Sequence, residues 1–380
     1  MVAALGPAVV AGLADLARAR RIVVKIGSAL LIEGGAPRRE WLTSMAGDLA
    51  GLRAGGAQVI VVSSGAIALG AARLALPKGG RANLADAQAA AAVGQIELAN
   101  LWSVALRAHG ITAAQMLLTL DDLEDRRRYL NAAATLDRLL SAGTIPVINE
   151  NDSVATEEIR FGDNDRLAAR VAQAAGADAV LLLSDIDGLY TRDPREAGAA
   201  LVPVVEAITP DIMAMASGSS SSGLGSGGMR SKLQAAQIAT RAGIALGIIT
   251  GKPAAPISAA VAAERGTLFL AHRGDGARKA WLGGRLAPAG ELRVDGGCAA
   301  ALRGGASLLA PGIVGVSGTF RRGDLVSIVS MKGERLAQGL AEYDAGEVQL
   351  IAGRRAEEQA ERLGYAPRAA VIHRDHLVLL

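Results

Sequence analysis

Short aliphatic runs alternate with amphipathic stretches over the first 250 residues. Arg21–Ile26, Gln58–Val62, Ile145–Ile148, Ala179–Leu183 and Ile244–Ile249 are almost wholly apolar, as expected of strands buried on both faces of a parallel sheet. Between them, Arg38–Ala54, Asp86–His109, Asp122–Ser141 and Asp165–Ala175 carry apolar residues at helical spacing. Ala17–Arg21 reads as the end of a short helix. Strand and helix in alternation predict an α/β fold, a mainly parallel sheet sandwiched by helices. After about Leu282 the helical periodicity fades and glycine recurs. Strand-like runs at Glu291–Val294, Gly312–Val316, Leu325–Val329 and Val371–His373 predict a small β-rich domain. The chain thus divides into a first domain over 1–281, a Pro/Gly-rich linker over 282–289, a second domain over 290–369 and a tail over 370–380. No internal repeat is visible.

Composition sharpens this picture. The 380 residues are 51% hydrophobic but only 3% aromatic, so the core must be built from Ala, Val, Leu and Ile. A formal charge of +3 is small for this length and announces neither a nucleic-acid nor a membrane partner through its field alone. One cysteine, Cys298, excludes an intramolecular disulfide and a multi-cysteine zinc site. No unbroken apolar run approaches the roughly 20 residues that span a bilayer. A cytoplasmic protein with no membrane partner is expected.

The candidate chemistry lies at the ends of the predicted strands, where ligands of parallel sheets bind. Gly27-Ser28, Ser63-Ser64-Gly65, Asn149–Asp152 and Ser184-Asp185 all fall there. Ile148-Asn-Glu-Asn-Asp-Ser-Val154 and Phe161-Gly-Asp-Asn-Asp165 gather amides and acids, which suit a ligand bearing an ammonium and a carboxylate, such as an amino acid. The alternative is a pair of turns built from Asn, Asp and Gly. Lys25 sits in an apolar strand just ahead of Gly27. Its ammonium either emerges at the strand end to meet an anion, beside the backbone N–H groups that glycine exposes, or reaches solvent. The Gly/Ser-rich segment Ser217–Lys232 leads into the helical pattern Leu233–Ala242. As a helix entry it offers free N–H groups, the positive end of the helix dipole and the Lys232 charge to a phosphate; by composition alone it is a flexible linker. It matches neither the P-loop nor the dinucleotide fingerprint. Two lysines from distant segments, anion sites and acidic strand ends suit phosphoryl transfer, which needs charge neutralisation and alignment. His109, His272, His373 and His376 all lie outside these clusters, so imidazole catalysis is not expected.

Val23-Val-Lys-Ile-Gly-Ser28, Val62-Ser-Ser-Gly-Ala-Ile67, Pro146-Val-Ile-Asn-Glu-Asn-Asp152, Phe161-Gly-Asp-Asn-Asp165, Leu183-Ser-Asp185 with Gly188-Leu-Tyr190, and Gly223-Leu-Gly-Ser-Gly-Gly-Met-Arg-Ser-Lys232 occur in order along the chain. Together they resemble the glutamate 5-kinases of the amino-acid kinase superfamily, which open proline biosynthesis. The resemblance implies the amino-acid kinase fold and transfer of the ATP γ-phosphoryl group to the γ-carboxylate of L-glutamate. It implies that Lys25 and Lys232 contact the phosphates and act in catalysis, and that Ser64, Asp152 and Asn164 hold glutamate. Nucleotide would be bound by Lys25, Ser184, Asp185, Ser226, Gly227, Gly228, Met229, Arg230, Ser231 and Lys232. Asp163 and Asp165 would orient the lysines or hydrated Mg²⁺. No protein metal site is implied, because Mg²⁺ would bind mainly through ATP oxygens and water. Feedback inhibition by proline and a homo-oligomer are also implied. Ser184 and Ser226 stand where the family more often has Thr, with the hydroxyl kept. The other readings are a kinase for a different small acid, such as N-acetylglutamate or carbamate, and an RNA-binding protein.

The RNA reading rests on the C-terminal segment. Gly312-Ile-Val-Gly-Val316 and Phe320-Arg-Arg-Gly-Asp-Leu-Val326 resemble a PUA domain, a module frequent on RNA-modifying enzymes. From Leu282 onward, however, 12 Lys/Arg face 11 Asp/Glu, a weak footprint for a phosphate backbone. Aromatic residues available for stacking are few, so RNA is not expected as a partner.

Overall fold

The computed structural model describes residues 10–16, 18–154, 163–216, 228–271 and 288–379. It divides into two units, the first comprising residues 1–124 and 132–272, the second 125–131 and 273–380.

The first unit is built on an eight-stranded sheet among the described residues. Its strands are β1 (Arg21–Ile26), β4 (Gln58–Ser63), β5 (Ala113–Leu118), β6 (Ile145–Glu150), β7 (Ala179–Ser184), β8 (Val204–Val205), β9 (Ala245–Thr250) and β10 (Thr267–Phe269). The two-residue strands β2 (Ile32–Glu33) and β3 (Ala36–Pro37) form a separate small ladder. The sheet order is β5-β6-β4-β1-β7-β9-β10-β8. Neighbours from β5 to β9 run parallel, and only β10 opposes β9. The aliphatic runs are buried because helices cover the sheet: Val23, Val24, Ile60, Val61 and Leu182 are fully inaccessible. The chain places β4, β5 and β6 on one side of β1 and then crosses to β7 on the other. The crevice at this reversal lies outside the carboxyl ends of β4, β1 and β7, where α/β sheets bind ligands.

The structure departs from the sequence reading in several places, two of them with clear physical causes. Strand β5 went unrecognised because Ala-Ala-Gln-Met-Leu-Leu lacks β-branched residues and occupies a half-exposed sheet edge. The single helix expected over Asp122–Ser141 is two, Leu120–Glu124 and Arg126–Ser141. Asp125 separates them, its Oδ1 accepting from Arg128 N at 2.9 Å as an N-cap does. The early helix is Leu13–Leu16, and Arg21 already opens β1. The Leu84–Arg107 helix is, by length and mean composition, apolar enough to cross a membrane, although Asp86, Gln95, Glu97 and Asn100 interrupt it and no unbroken apolar run of that length is present. Much of that apolarity faces inward, through Ala87, Ala90, Leu98 and Trp102, all buried.

The second unit carries a five-stranded sheet of β11 (Gly290–Val294), β12 (Ile313–Gly318), β13 (Leu325–Val329), β14 (Arg335–Leu340) and β15 (Leu377–Leu379), in the order β12-β11-β13-β14-β15. Leu292, Phe320, Ile328, Tyr343 and Ile372 share its core. Val371–His373 is not a strand: Ile372 makes one isolated bridge with Leu308. The strand lies a few residues later, within the segment read as a tail, and pairs with β14.

Candidate active site

The parallel register brings the polar strand ends onto one edge of the sheet. Ile26 is level with Ser63 on one side and Leu183 on the other, and Leu118 is level with Glu150. Backbone bonds extend this edge: Ser64 N donates to Ile26 O at 3.0 Å, Asn151 N to Leu118 O at 3.0 Å, and Gly251 N to Ser184 O at 2.7 Å. Gly65 follows Ser64 with φ +127°, a conformation that side chains avoid, and a Cβ there would lie 3.1 Å from Ile32 Cδ1. That turn ends the strand and starts the Ala66–Arg73 helix, leaving Ser64 at the sheet edge.

Two helices complete the site. Asp163–Ala175 packs against β1, and Met229–Arg241 packs against Asp163–Ala175. Their first turns carry Asp165 and Lys232. Lys25 Nζ lies 2.6 Å from Asp165 Oδ1, and Lys232 Nζ lies 3.2 Å from Oδ2. One carboxylate therefore grips both predicted lysines, and it is 1% exposed. Burial pushes the Asp165 carboxyl up, but the Lys25 and Lys232 ammonium groups outweigh it and hold the acid below its ordinary range. Lys25 is moved down, by burial first and then by Lys232, with Asp165 opposing. With two lysine side chains set against one carboxylate, the cluster is suited to receive an anion.

A second, uncharged cluster lies beside it. Asn164 Nδ2 donates to Ser64 Oγ at 2.7 Å and to Asn149 Oδ1 at 3.3 Å, and Asn149 Nδ2 donates to Gln95 Oε1 at 2.9 Å. Ser64 and Asn164, predicted as substrate contacts, are thus brought into direct contact. Asp152 is buried in the turn after β6. Its negative charge acts on Arg81, supporting a guanidinium that burial drives down. Ser184 is buried at the end of β7 and donates to Asp185 Oδ1 at 3.1 Å; Asp185 itself is exposed.

Gly228 caps the Met229–Arg241 helix, whose first turn holds Met229, Arg230, Ser231 and Lys232. A helix N-terminus beside two lysine side chains suits phosphate oxygens. Ser226 and Gly227, also predicted to bind nucleotide, lie outside the described residues, as does most of the Gly/Ser segment. Among the described residues no group of three His, Cys, Asp or Glu side chains is arranged to hold a metal ion.

The sequence reading quoted Asn149 within a motif but assigned it no role, and it passed over Gln95 and Arg81. Asn149 carried a usable signal, a polar residue ending an aliphatic strand. Gln95 carried none, being one polar residue in an Ala-rich helix.

Comparison with known proteins places the chain in a family. The amino acid kinase family model matches residues 20–250, and the PUA domain model matches 290–363. A glutamate 5-kinase of Novosphingobium aromaticivorans is 64% identical over 361 residues, covering 95% of this chain and 96% of that protein. Glutamate 5-kinases of Sphingopyxis alaskensis and Zymomonas mobilis are 61% and 54% identical, covering 95% of this chain in each case and 97% and 91% of those proteins. With that identity sustained over nearly the whole length, the chain belongs to the amino acid kinase family, among its glutamate 5-kinases, and carries a PUA domain at its C-terminal end.

Proposed function

We propose that this chain transfers the γ-phosphoryl group of ATP to the γ-carboxylate of L-glutamate, giving L-glutamyl 5-phosphate and ADP, the first step of proline biosynthesis. The observation that carries the reading is the Lys25–Asp165–Lys232 cluster at the strand ends, in a chain whose full-length relatives are glutamate 5-kinases. A glutamate carboxylate oxygen attacks the γ-phosphorus. The new P–O bond forms as the bond to the bridging oxygen breaks, and that electron pair leaves with ADP. A carboxylate is already ionised at neutral pH, so no strong general base is needed. Lys25 and Lys232 neutralise the charge spread over the transferring group and the leaving oxygens. Asp165 holds the two ammonium groups together and would otherwise meet the phosphates unfavourably if it were not doubly paired. Mg²⁺ brought in with ATP would supply further charge neutralisation at the triphosphate.

Ser64, Asn164 and Asp152 take the glutamate in this reading, and Ser184, Asp185 and the Gly228–Lys232 turn take the nucleotide. The test is ADP release with ATP, Mg²⁺ and L-glutamate, with hydroxylamine trapping the acyl phosphate. Hydroxamate formed with glutamate, absent with N-acetylglutamate or carbamate and lost in Lys232→Ala, is the expected result. Folded protein that binds ATP yet makes no hydroxamate from glutamate would overturn the substrate.

Proline fits the same amino-acid cluster and acts as a feedback inhibitor in this reading, raising the apparent KM for glutamate. Saturating proline without effect on that KM would remove it. The protein also works as a homo-oligomer. Ile96 (76% exposed) and Val104 (55% exposed) are exposed apolar residues of the Leu84–Arg107 helix that a second copy would cover. Light scattering that returns a monomer mass at assay concentrations would exclude this.

A further inference from the structure

We propose that Gln95, which no assignment of the site includes, is a positioning residue for the amino-acid substrate, setting the hydrogen-bond polarity of the cluster that receives it. The inference rests on the reading of Ser64 and Asn164 as glutamate contacts. It follows from the direction of three hydrogen bonds. Gln95 Oε1 can only accept, so Asn149 must turn its Nδ2 toward it, as observed at 2.9 Å. Asn149 then presents Oδ1 to Asn164, which must answer with Nδ2. The same Nδ2 donates to Ser64 Oγ at 2.7 Å.

Two consequences reach the substrate. Ser64 Oγ, already accepting from Asn164, keeps its proton available to donate to a substrate carboxylate. Asn164 Oδ1 is left facing away from the chain; it is buried and has no hydrogen-bond partner among the described residues. A buried carbonyl oxygen without a donor is costly, and an ammonium of the bound amino acid would supply one. The chain therefore offers a donor and an acceptor of fixed sense, complementary to the two charged groups at one end of an amino acid. If Gln95 presented a donor instead, each amide downstream would have to reverse and both signs would be exchanged.

The helix segment that carries Gln95 is anchored on both sides. Gly94 and Gly70 let the Leu84–Arg107 and Ala66–Arg73 helices meet backbone to backbone. A Cβ at Gly94 would collide with Ala66 O, and one at Gly70 with Ala90 O. Two turns further along, Trp102 Nε1 donates to Ser63 Oγ at 2.9 Å, tying the same helix to the end of β4. Gln95 lies between these two anchors.

The test is steady-state kinetics of Gln95→Glu, Gln95→Met and Gln95→Lys, with Ser64→Ala and Asn164→Ala alongside and melting temperatures throughout. Glu keeps an acceptor for Asn149, Met removes it and Lys replaces it with a donor. The expected KM for glutamate stays within about twofold of wild type for Glu, rises about tenfold for Met and rises further for Lys. KM for ATP should not move. A merely structural role would shift melting temperature and both KM values together and would not rescue with Glu, and that result overturns the proposal. If Ser64→Ala and Asn164→Ala raise the glutamate KM while the Gln95 variants do not, Gln95 alone is wrong. If Ser64→Ala and Asn164→Ala leave it unchanged, the assignment of the glutamate site fails and takes this inference with it.

Discussion

The two halves of the site are built from opposite materials, although they meet on adjacent residues of one helix. Asp165 joins two ammonium groups into a buried ionic cluster, whereas Asn164 joins a hydroxyl and two amides into a neutral chain. Successive helical residues are about 100° apart, so neighbours in sequence can face different ligands. On the proposed function, the difference follows from what each end must do. Charge at the phosphoryl end is worth most in the transition state, when the transferring group and the leaving oxygen have the greatest need of it. Glutamate brings its own charges, and at its end a set of dipoles of fixed direction can select it without burying more ions. The ionic half should therefore govern kcat and the neutral half KM.

The largest expected effect is on the ionic half. Lys232→Met should lower kcat by about 10²- to 10³-fold, the loss typical of one preorganised transition-state donor, while KM for glutamate stays within about twofold. Stopped hydroxamate assays over a range of glutamate read both constants. An equal rise in glutamate KM would break the division of labour.

Asp165→Asn should abolish most activity and also destabilise the fold, by about 3–5 kcal/mol, since the buried Lys25 and the largely buried Lys232 would lose the carboxylate they share. Urea unfolding measures this. The pH dependence has a definite sign. Asp165 is depressed below its ordinary 3.8, so the stability it confers is present above that value and is lost as pH falls through its lower native pKa. The wild type should lose stability more steeply than Asp165→Asn below about pH 4. Parallel acid profiles would mean that the carboxylate is not stabilised as described.

Next comes the neutral half. Ser64→Ala should raise the glutamate KM about tenfold with kcat and the ATP KM little changed. A fall in kcat as large as that of Lys232→Met would show that Ser64 acts on the transition state. The alkaline limb of kcat/KM for ATP sharpens the contrast. Lys25 is moved below its ordinary 10.5 by burial and Lys232, so this limb should fall at lower pH than for an ordinary lysine. Ser64→Ala should leave the limb in place.

The same contrast explains what was legible in the sequence. Charged residues inside aliphatic runs stand out, and Lys25 was readable as a candidate site residue because an unpaired ammonium has no place in a buried strand. Lys232 stood out at a Gly-rich helix entry. Asp165 was visible only as part of an acidic cluster, and its double pairing required the Asp163–Ala175 and Met229–Arg241 helices to be packed together. The neutral chain was less legible. Gln95 lies 54 positions from Asn149, and a glutamine on an Ala-rich helix has no local signature. The fold shows the same gradient. The fully buried strands β1, β4, β6, β7 and β9 announced themselves through continuous aliphatic runs, but β5 and β15 sit at sheet edges, where burial imposes a weaker pattern.

The smallest expected effect tests whether the neutral half depends on its own anchors or on the whole helix. Asn83 caps the Leu84–Arg107 helix, its Oδ1 accepting from Asp86 N at 2.8 Å, three turns before Gln95. Asn83→Ala should cost about 1 kcal/mol in urea unfolding, the usual loss for an N-cap. The glutamate KM should not change, because the contact of Gly94 with the Ala66–Arg73 helix and the Trp102–Ser63 bond hold the middle of the helix independently of its end. A rise in KM approaching that of Ser64→Ala would show that fraying at the cap reaches Gln95. The polarity of the chain would then be a property of the whole helix and not of the two anchors beside it.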